Sequence, residues 1–316
     1  MIIFLLLLVF MTSAQGTVLP KANVPVWTLL LSTKDSQTLP RNFRTTRDKI
    51  PAGYEKSGLT DLNMSGSGQF SASQLTILID SLTQFGFSPS QIVIVDLREE
   101  PHAFINGDAV RWYAEDAWWN QGSPLKVVLD DEQERLDALS LGQVISVSRI
   151  DQKNKAGQIA ALSSQSCKIR SLMTEAQIVS ATGASYVRIP VTDHTKPDDE
   201  DVDQFLDMVK KLPSHTWIHF HCHAGRGRTS TFMILYDMLR NRKLPRETII
   251  DRQVQLVGGL DIRLLSQGFK THKNTNEKKR YIFIKNFYEY LNAADGYGVV
   301  SWTKWITKRR NCINQN

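Results

Sequence analysis

Cysteine is scarce: Cys167, Cys222 and Cys312 are the only three in 316 residues. Three thiols cannot build a disulfide framework. No pair is spaced CxxC and no HExxH occurs, which excludes the common zinc patterns. The odd count leaves at least one cysteine outside an intramolecular bridge, and a Cys167–Cys312 pair stays open if Cys222 is kept as a thiol. Long hydrophobic runs are lacking too. Ile2 to Met11 is unbroken and apolar but too short to cross a bilayer as a helix, and no second such run follows. Internal repeats and low-complexity tracts are absent.

What is present is an ordinary globular composition, 41% hydrophobic and 22% charged, which fits neither a disordered chain nor a multi-span membrane protein. The length permits one substantial core. A net charge of +6 favours acidic partners without naming them. The apolar start runs into Thr12-Ser13-Ala14, so residues 1–14 read as a signal peptide cleaved after Ala14. Residues 15–316 are then an exported domain with no stable membrane anchor.

Along the chain, helix patterns alternate with short buried strands, the grammar of an α/β fold. Leu75, Ile79, Leu82 and Phe85 recur at helical spacing, and "QIVIVDLREE" reads as a strand ending at Asp96. A polar stretch near 120–160 is expected to be a β-rich insertion, with "KVVLDDE" and "GQVISVSRI" as its strands. "TEAQIVSATGASYVRIPV" predicts helix then strand, and the acidic run Asp198, Asp199, Glu200 and Asp201 a solvated turn. Val202–Leu212 is predicted helical, Trp217 opens the strand "WIHFH", and Thr229–Arg240 forms an amphipathic helix. Further helices are expected at Glu247–Leu256 and Lys279–Leu291.

The segment "WIHFHCHAGRGRTS" carries the chemistry. Cys222, His223, Ala224, Gly225, Arg226, Gly227 and Arg228 lie between a buried strand and a helix. A loop this tight needs its glycines, and its inward backbone N–H groups together with the helix N-terminus bind a phosphate dianion. The same field stabilises a thiolate at Cys222. Arg228 can fork two hydrogen bonds onto phosphate oxygens. A Walker nucleotide loop does not fit, because Arg228 stands where its lysine would precede Thr229. Thr229 can donate to the thiolate, cap the helix, or do both, and His221 is expected to orient the loop. An alkoxide leaving group needs an acid, and Asp193, just past a predicted strand end, is the candidate.

At these residues the chain resembles the cysteine-dependent protein-tyrosine-phosphatase superfamily. More narrowly it resembles the bacterial protein-tyrosine-phosphatase-like phytases, which are myo-inositol polyphosphate phosphatases. The likeness extends over "NFRTT", "SGSGQFS", "VDLREEPHAFINGDAVRWY", "YVRIPVTDHTKP" and "FYEY". It implies an α/β fold with a central, largely parallel sheet flanked by helices and a small partial β-barrel. It also implies Cys222 as nucleophile, Arg228 as phosphate-binding arginine and Asp193 as general acid. His194 and the loop residues 223–227 would contact substrate, as would Arg44, Lys270 and Lys273 at its periphery. The implied partner is an anionic phosphorylated small molecule, inositol phosphate first and phosphotyrosine protein as the alternative, with no nucleic acid, cofactor or metal. Two departures stand out. Arg226 adds a positive charge that faces either pocket or solvent, and "EEPH" replaces the family's usual QESH.

Overall fold

The computed structural model describes residues 28–113, 120–153, 159–259, 261–263 and 272–314. The expected signal peptide and Lys270 lie outside them, as does the side chain of Lys273. Eleven strands are described: β1 (Thr28–Thr33), β2 (Arg44–Thr45), β3 (Met64–Gly68), β4 (Ile92–Asp96), β5 (His102–Ile105), β6 (Asp108–Tyr113), β7 (Val144–Lys153), β8 (Ile159–Lys168), β9 (Leu172–Met173), β10 (Ser185–Arg188) and β11 (Trp217–Cys222). The helices are α1 (Ala72–Thr83), α2 (Leu125–Asp137), α3 (Glu175–Ala181), α4 (Asp199–Lys211), α5 (Gly227–Arg240), α6 (Arg246–Leu256), α7 (His272–Asn292) and α8 (Trp302–Asn314).

They build an α/β fold with two mixed sheets flanked by helices. The five-stranded sheet runs β10-β4-β11-β3-β2. Its first three pairings are parallel, and only β2 with β3 is antiparallel. The six-stranded sheet runs β8-β7-β1-β6-β5-β9 and is antiparallel except for a single parallel bridge between β1 and β7.

Local sequence explains much of this. Ser71 and Gln74 form a reciprocal capping box that starts α1, which buries Leu75, Leu78, Ile79 and Leu82, one apolar face at helical spacing. Thr174 and Gln177 do the same for α3. The central strands β4 and β11 are buried along their whole length, as parallel strands covered on both faces must be.

Three expectations are corrected. "KVVLDDE" is not a strand but part of α2, and the buried positions Val128, Glu132 and Leu136 recur every four residues. Its apolar period is masked because one inward residue is a glutamate, which pairs with Arg188 at 2.8 Å. Nor is α5 amphipathic: every residue from Arg228 to Leu239 is buried. Asp237 is tolerated there because Arg252 and Gln253 on α6 satisfy its carboxylate, Gln253 Nε2 at 2.7 Å. The acidic run is not a solvated turn but opens α4. Asp199 accepts from Trp302 Nε1 at 3.0 Å and pairs with Arg310, and Asp203 accepts from the Trp302 backbone, which docks α8.

Cys167 lies on β8 and carries a thiol, so the Cys167–Cys312 bridge is not formed. Among the described residues no helix is long and apolar enough to cross a membrane.

Candidate active site

Strand β11 ends at Cys222 in the middle of the parallel sheet, in register with Gly68 at the end of β3. From there the chain must reverse into α5 within a few residues. Gly225 makes this possible with φ +74°, and a Cβ at that position would stand 2.3 Å from the Gly68 nitrogen. Gly225→Ala is therefore expected to destabilise the protein by about 1–3 kcal/mol, read by urea denaturation.

The loop folds around the sulfur. Gly225 N donates to Cys222 Sγ at 3.3 Å and Thr229 Oγ1 at 3.2 Å. Burial would push this thiol up, but the Arg228 guanidinium and the Thr229 hydroxyl and N–H outweigh it, so the pKa falls below its ordinary value. The N-terminus of α5, starting at Gly227, adds to that field.

Arg228 is fixed from several sides. Its Nη1 donates to Val191 O at 2.9 Å and to Leu97 O at 3.2 Å, the carbonyls of two neighbouring loops. Glu100 grips both terminal nitrogens, at 2.7 and 3.0 Å. Against burial, Glu100 and Asp193 raise the pKa of Arg228 well above its ordinary value. Its Nε has no hydrogen-bond partner.

Asp193 Oδ1 lies 3.1 Å from Arg228 Nη2. Burial works against ionisation, but Arg228 and His194 hold this carboxyl below its usual range. His194 follows with φ +64°, a left-handed conformation that non-glycine residues rarely adopt, and donates its backbone N–H to Asp193 Oδ1 at 3.0 Å. The turn carrying both is pinned from α7, where Arg280 donates to Thr195 O at 2.9 Å.

Behind the loop, His221 Nε2 lies 2.6 Å from Glu175 Oε1. Glu175 also accepts from Gln69 Nε2 at 2.8 Å, while the Gln69 backbone N–H donates to His223 O at 3.1 Å. Both chain neighbours of Cys222 thus adjoin one buried network, His221 by ion-pair proximity to Glu175 without a hydrogen bond. Asp96, His102 and Glu175 lie close enough to suggest a metal site. Yet Arg188 Nε sits 3.3 Å from Asp96. Although burial and Arg98 oppose it, Asp96 and Glu132 raise the His102 pKa to about 9. Two cations already neutralise these carboxylates, so the cluster is an ion network.

Other expected contacts are placed differently. Arg44 is buried beneath the loop, donating to Gly225 O at 2.8 Å and Ser230 Oγ at 2.9 Å, so it braces the loop. Arg226 is exposed. The His223 ring is half-buried, and burial, then Arg111, Arg98 and Arg41, push its pKa well below the ordinary value.

Sequence reasoning missed Glu100, Arg41, Arg98, Arg111 and Arg280. They come from distant segments, and only the sheet order brings them to the loop. Glu100 stands in the quoted "EEPH" at the position it shares with QESH, so the departures there, Glu99 and Pro101, did not point to it.

A thiol of lowered pKa in a strand-to-helix anion loop, on a mixed sheet between helices, defines the cysteine-dependent phosphatase class of architecture. Comparisons with known proteins narrow it. The family model PTPlike_phytase, described as inositol hexakisphosphate, matches residues 95–240. A PTP-like phytase from Bdellovibrio bacteriovorus is 32% identical, with 94% of this chain and 98% of that one covered and a TM-score of 0.70. The PTP-like myo-inositol phosphatase from Mitsuokella multacida, solved in complex with myo-inositol-(1,3,4,5)-tetrakisphosphate, is 34% identical over 92% of this chain and 49% of that one, with a TM-score of 0.82. Effector protein hopD2 of Pseudomonas syringae pv. tomato is 31% identical over 271 residues, 84% of this chain and 56% of its own length. The chain spans about half the length of these last two relatives. It belongs to the PTP-like phytase family.

Proposed function

We propose that the protein is an exported phosphomonoesterase that removes phosphates from inositol polyphosphates through a phosphocysteine intermediate. The observation that carries the substrate class is the gathering of cations around the loop: Arg41 donates to His223 O, and after burial Arg111, Arg98 and Arg41 hold the His223 pKa well below its ordinary value. Such a surround is relieved by a polyanion.

In this reading the Cys222 thiolate attacks phosphorus in line, forming an S–P bond as the P–O bond to the inositol oxygen breaks. The loop amides and the Nε and Nη2 edge of Arg228 hold the phosphoryl oxygens. A phosphate dianion on Arg228 also changes Asp193: it competes for the guanidinium and places negative charge beside the carboxyl, so the Asp193 pKa rises and the group is protonated when the leaving oxygen needs its proton. Asp193, now a carboxylate, then takes a proton from water as that water attacks the phosphocysteine, releasing phosphate and restoring the thiolate. Thr229 Oγ1 donates to the sulfur as it leaves.

Steady-state comparison of inositol hexakisphosphate with a phosphotyrosine peptide tests the substrate class. The expected result is a kcat/KM at least about tenfold higher for the inositol phosphate. The reverse order would make the protein a tyrosine phosphatase.

A further inference from the structure

Arg111 is a charged residue that nothing in the fold accounts for. It sits on β6, paired across to His102 on β5, and is only 8% exposed. Among the described residues its guanidinium donates no hydrogen bond and faces no carboxylate at ion-pair distance, and its Nε is buried without a partner. Its guanidinium carbon lies over the Tyr113 ring, 5.4 Å from the centroid, a cation–π contact that satisfies none of its N–H groups. Its cross-strand partner leads to the active site: His102 Nδ1 lies 2.9 Å from the carbonyl oxygen of Glu100, the residue that grips Arg228. Burial, then Arg98, pull the Arg111 pKa down, while Glu100 and Asp193 pull it up, and His223 and Asp193 in turn feel its charge. The other buried arginines contrast with it: Arg44, Arg188, Arg228 and Arg252 each spend donors on carbonyls, hydroxyls or carboxylates.

A guanidinium whose Nε is buried without a partner, beside another cation, is retained where an anion from outside supplies the missing partner. The scissile phosphate does not do so, because the loop amides and Arg228 already accommodate it. We infer that Arg111 binds a second phosphate of the same substrate molecule, next to the one under attack, and so sets the preference for polyphosphorylated over singly phosphorylated esters. This rests on the inositol polyphosphate reading and extends it to a particular residue. A fork of N–H donors suits a phosphate.

The test compares inositol hexakisphosphate with p-nitrophenyl phosphate, which has no second phosphate, for the wild type, Arg111→Met and Arg111→Lys. In Arg111→Met the ratio of kcat/KM between the two esters is expected to fall about tenfold or more, mainly through KM, as befits loss of a charged hydrogen-bond pair. Arg111→Lys keeps the charge without the fork and is expected to fall by about threefold. It also carries the test if the methionine variant does not fold. A ratio unchanged in the folded variants, or equal losses on both esters, would overturn the subsite. A wild type that fails to hydrolyse inositol hexakisphosphate would overturn the functional reading itself.

Discussion

Cys222→Ser should abolish turnover of inositol hexakisphosphate, a loss of about four orders of magnitude or more, while binding of the same compound, measured by calorimetry, survives. The two halves of that expectation have separate causes. Serine is nearly the size of cysteine, so the Gly225 amide and the Arg228 guanidinium keep the geometry that grips phosphate. A hydroxyl, however, is far harder to ionise than a thiol, and the field that lowers the Cys222 pKa does not bring an alcohol into range. Full activity in the serine variant would remove the nucleophile from the account. Lost binding with lost activity would mean that the loop had collapsed.

Asp193→Asn is expected to lower kcat on inositol hexakisphosphate by about 10²–10⁴-fold, the usual contribution of a positioned general acid. The same change should cost much less on p-nitrophenyl phosphate, since nitrophenolate departs without a proton. The pH profile supplies an independent check. The acid works only while protonated, so kcat of the wild type falls as pH rises through the Asp193 pKa in the complex. That limb is expected to vanish in the asparagine variant. In the free protein the Asp193 carboxyl lies below its usual range because Arg228 and His194 outweigh burial. Protonation during turnover thus depends on substrate taking over Arg228. Equal losses on both esters would show that Asp193 serves only to position Arg228.

The parts of this molecule legible in the sequence are those decided locally. A β-branched run gives β4, an apolar period gives α1, and the cysteine, glycines and arginine crowded after "WIHFH" mark the strand-to-helix loop. Elements misread were those in which tertiary pairing overrides local pattern. Glu132 faces inward because Arg188 is there to meet it, and this hides the period of α2. Asp237 is buried for a similar reason, with Arg252 as its partner. The cationic surround of the site was illegible for a different reason. Arg41, Arg98, Arg111 and Arg280 belong to separate segments, and nothing in their spacing shows that β11 lies between β3 and β4 or that α7 returns to the loop. Lys270 and Lys273 are the C-terminal cations the resemblance implies, whereas Arg280 is the one that reaches the Asp193 turn.

The most direct test of the central claim is the pH dependence of alkylation at Cys222 by iodoacetate, with and without inositol hexakisphosphate as protectant. With Arg228, the Thr229 hydroxyl and the loop amides stabilising the thiolate, half-maximal reactivity is predicted below the value of about 8.5 for an ordinary cysteine, and the ligand should suppress it. Reactivity that begins only above that ordinary value, or that the ligand leaves untouched, would contradict the account.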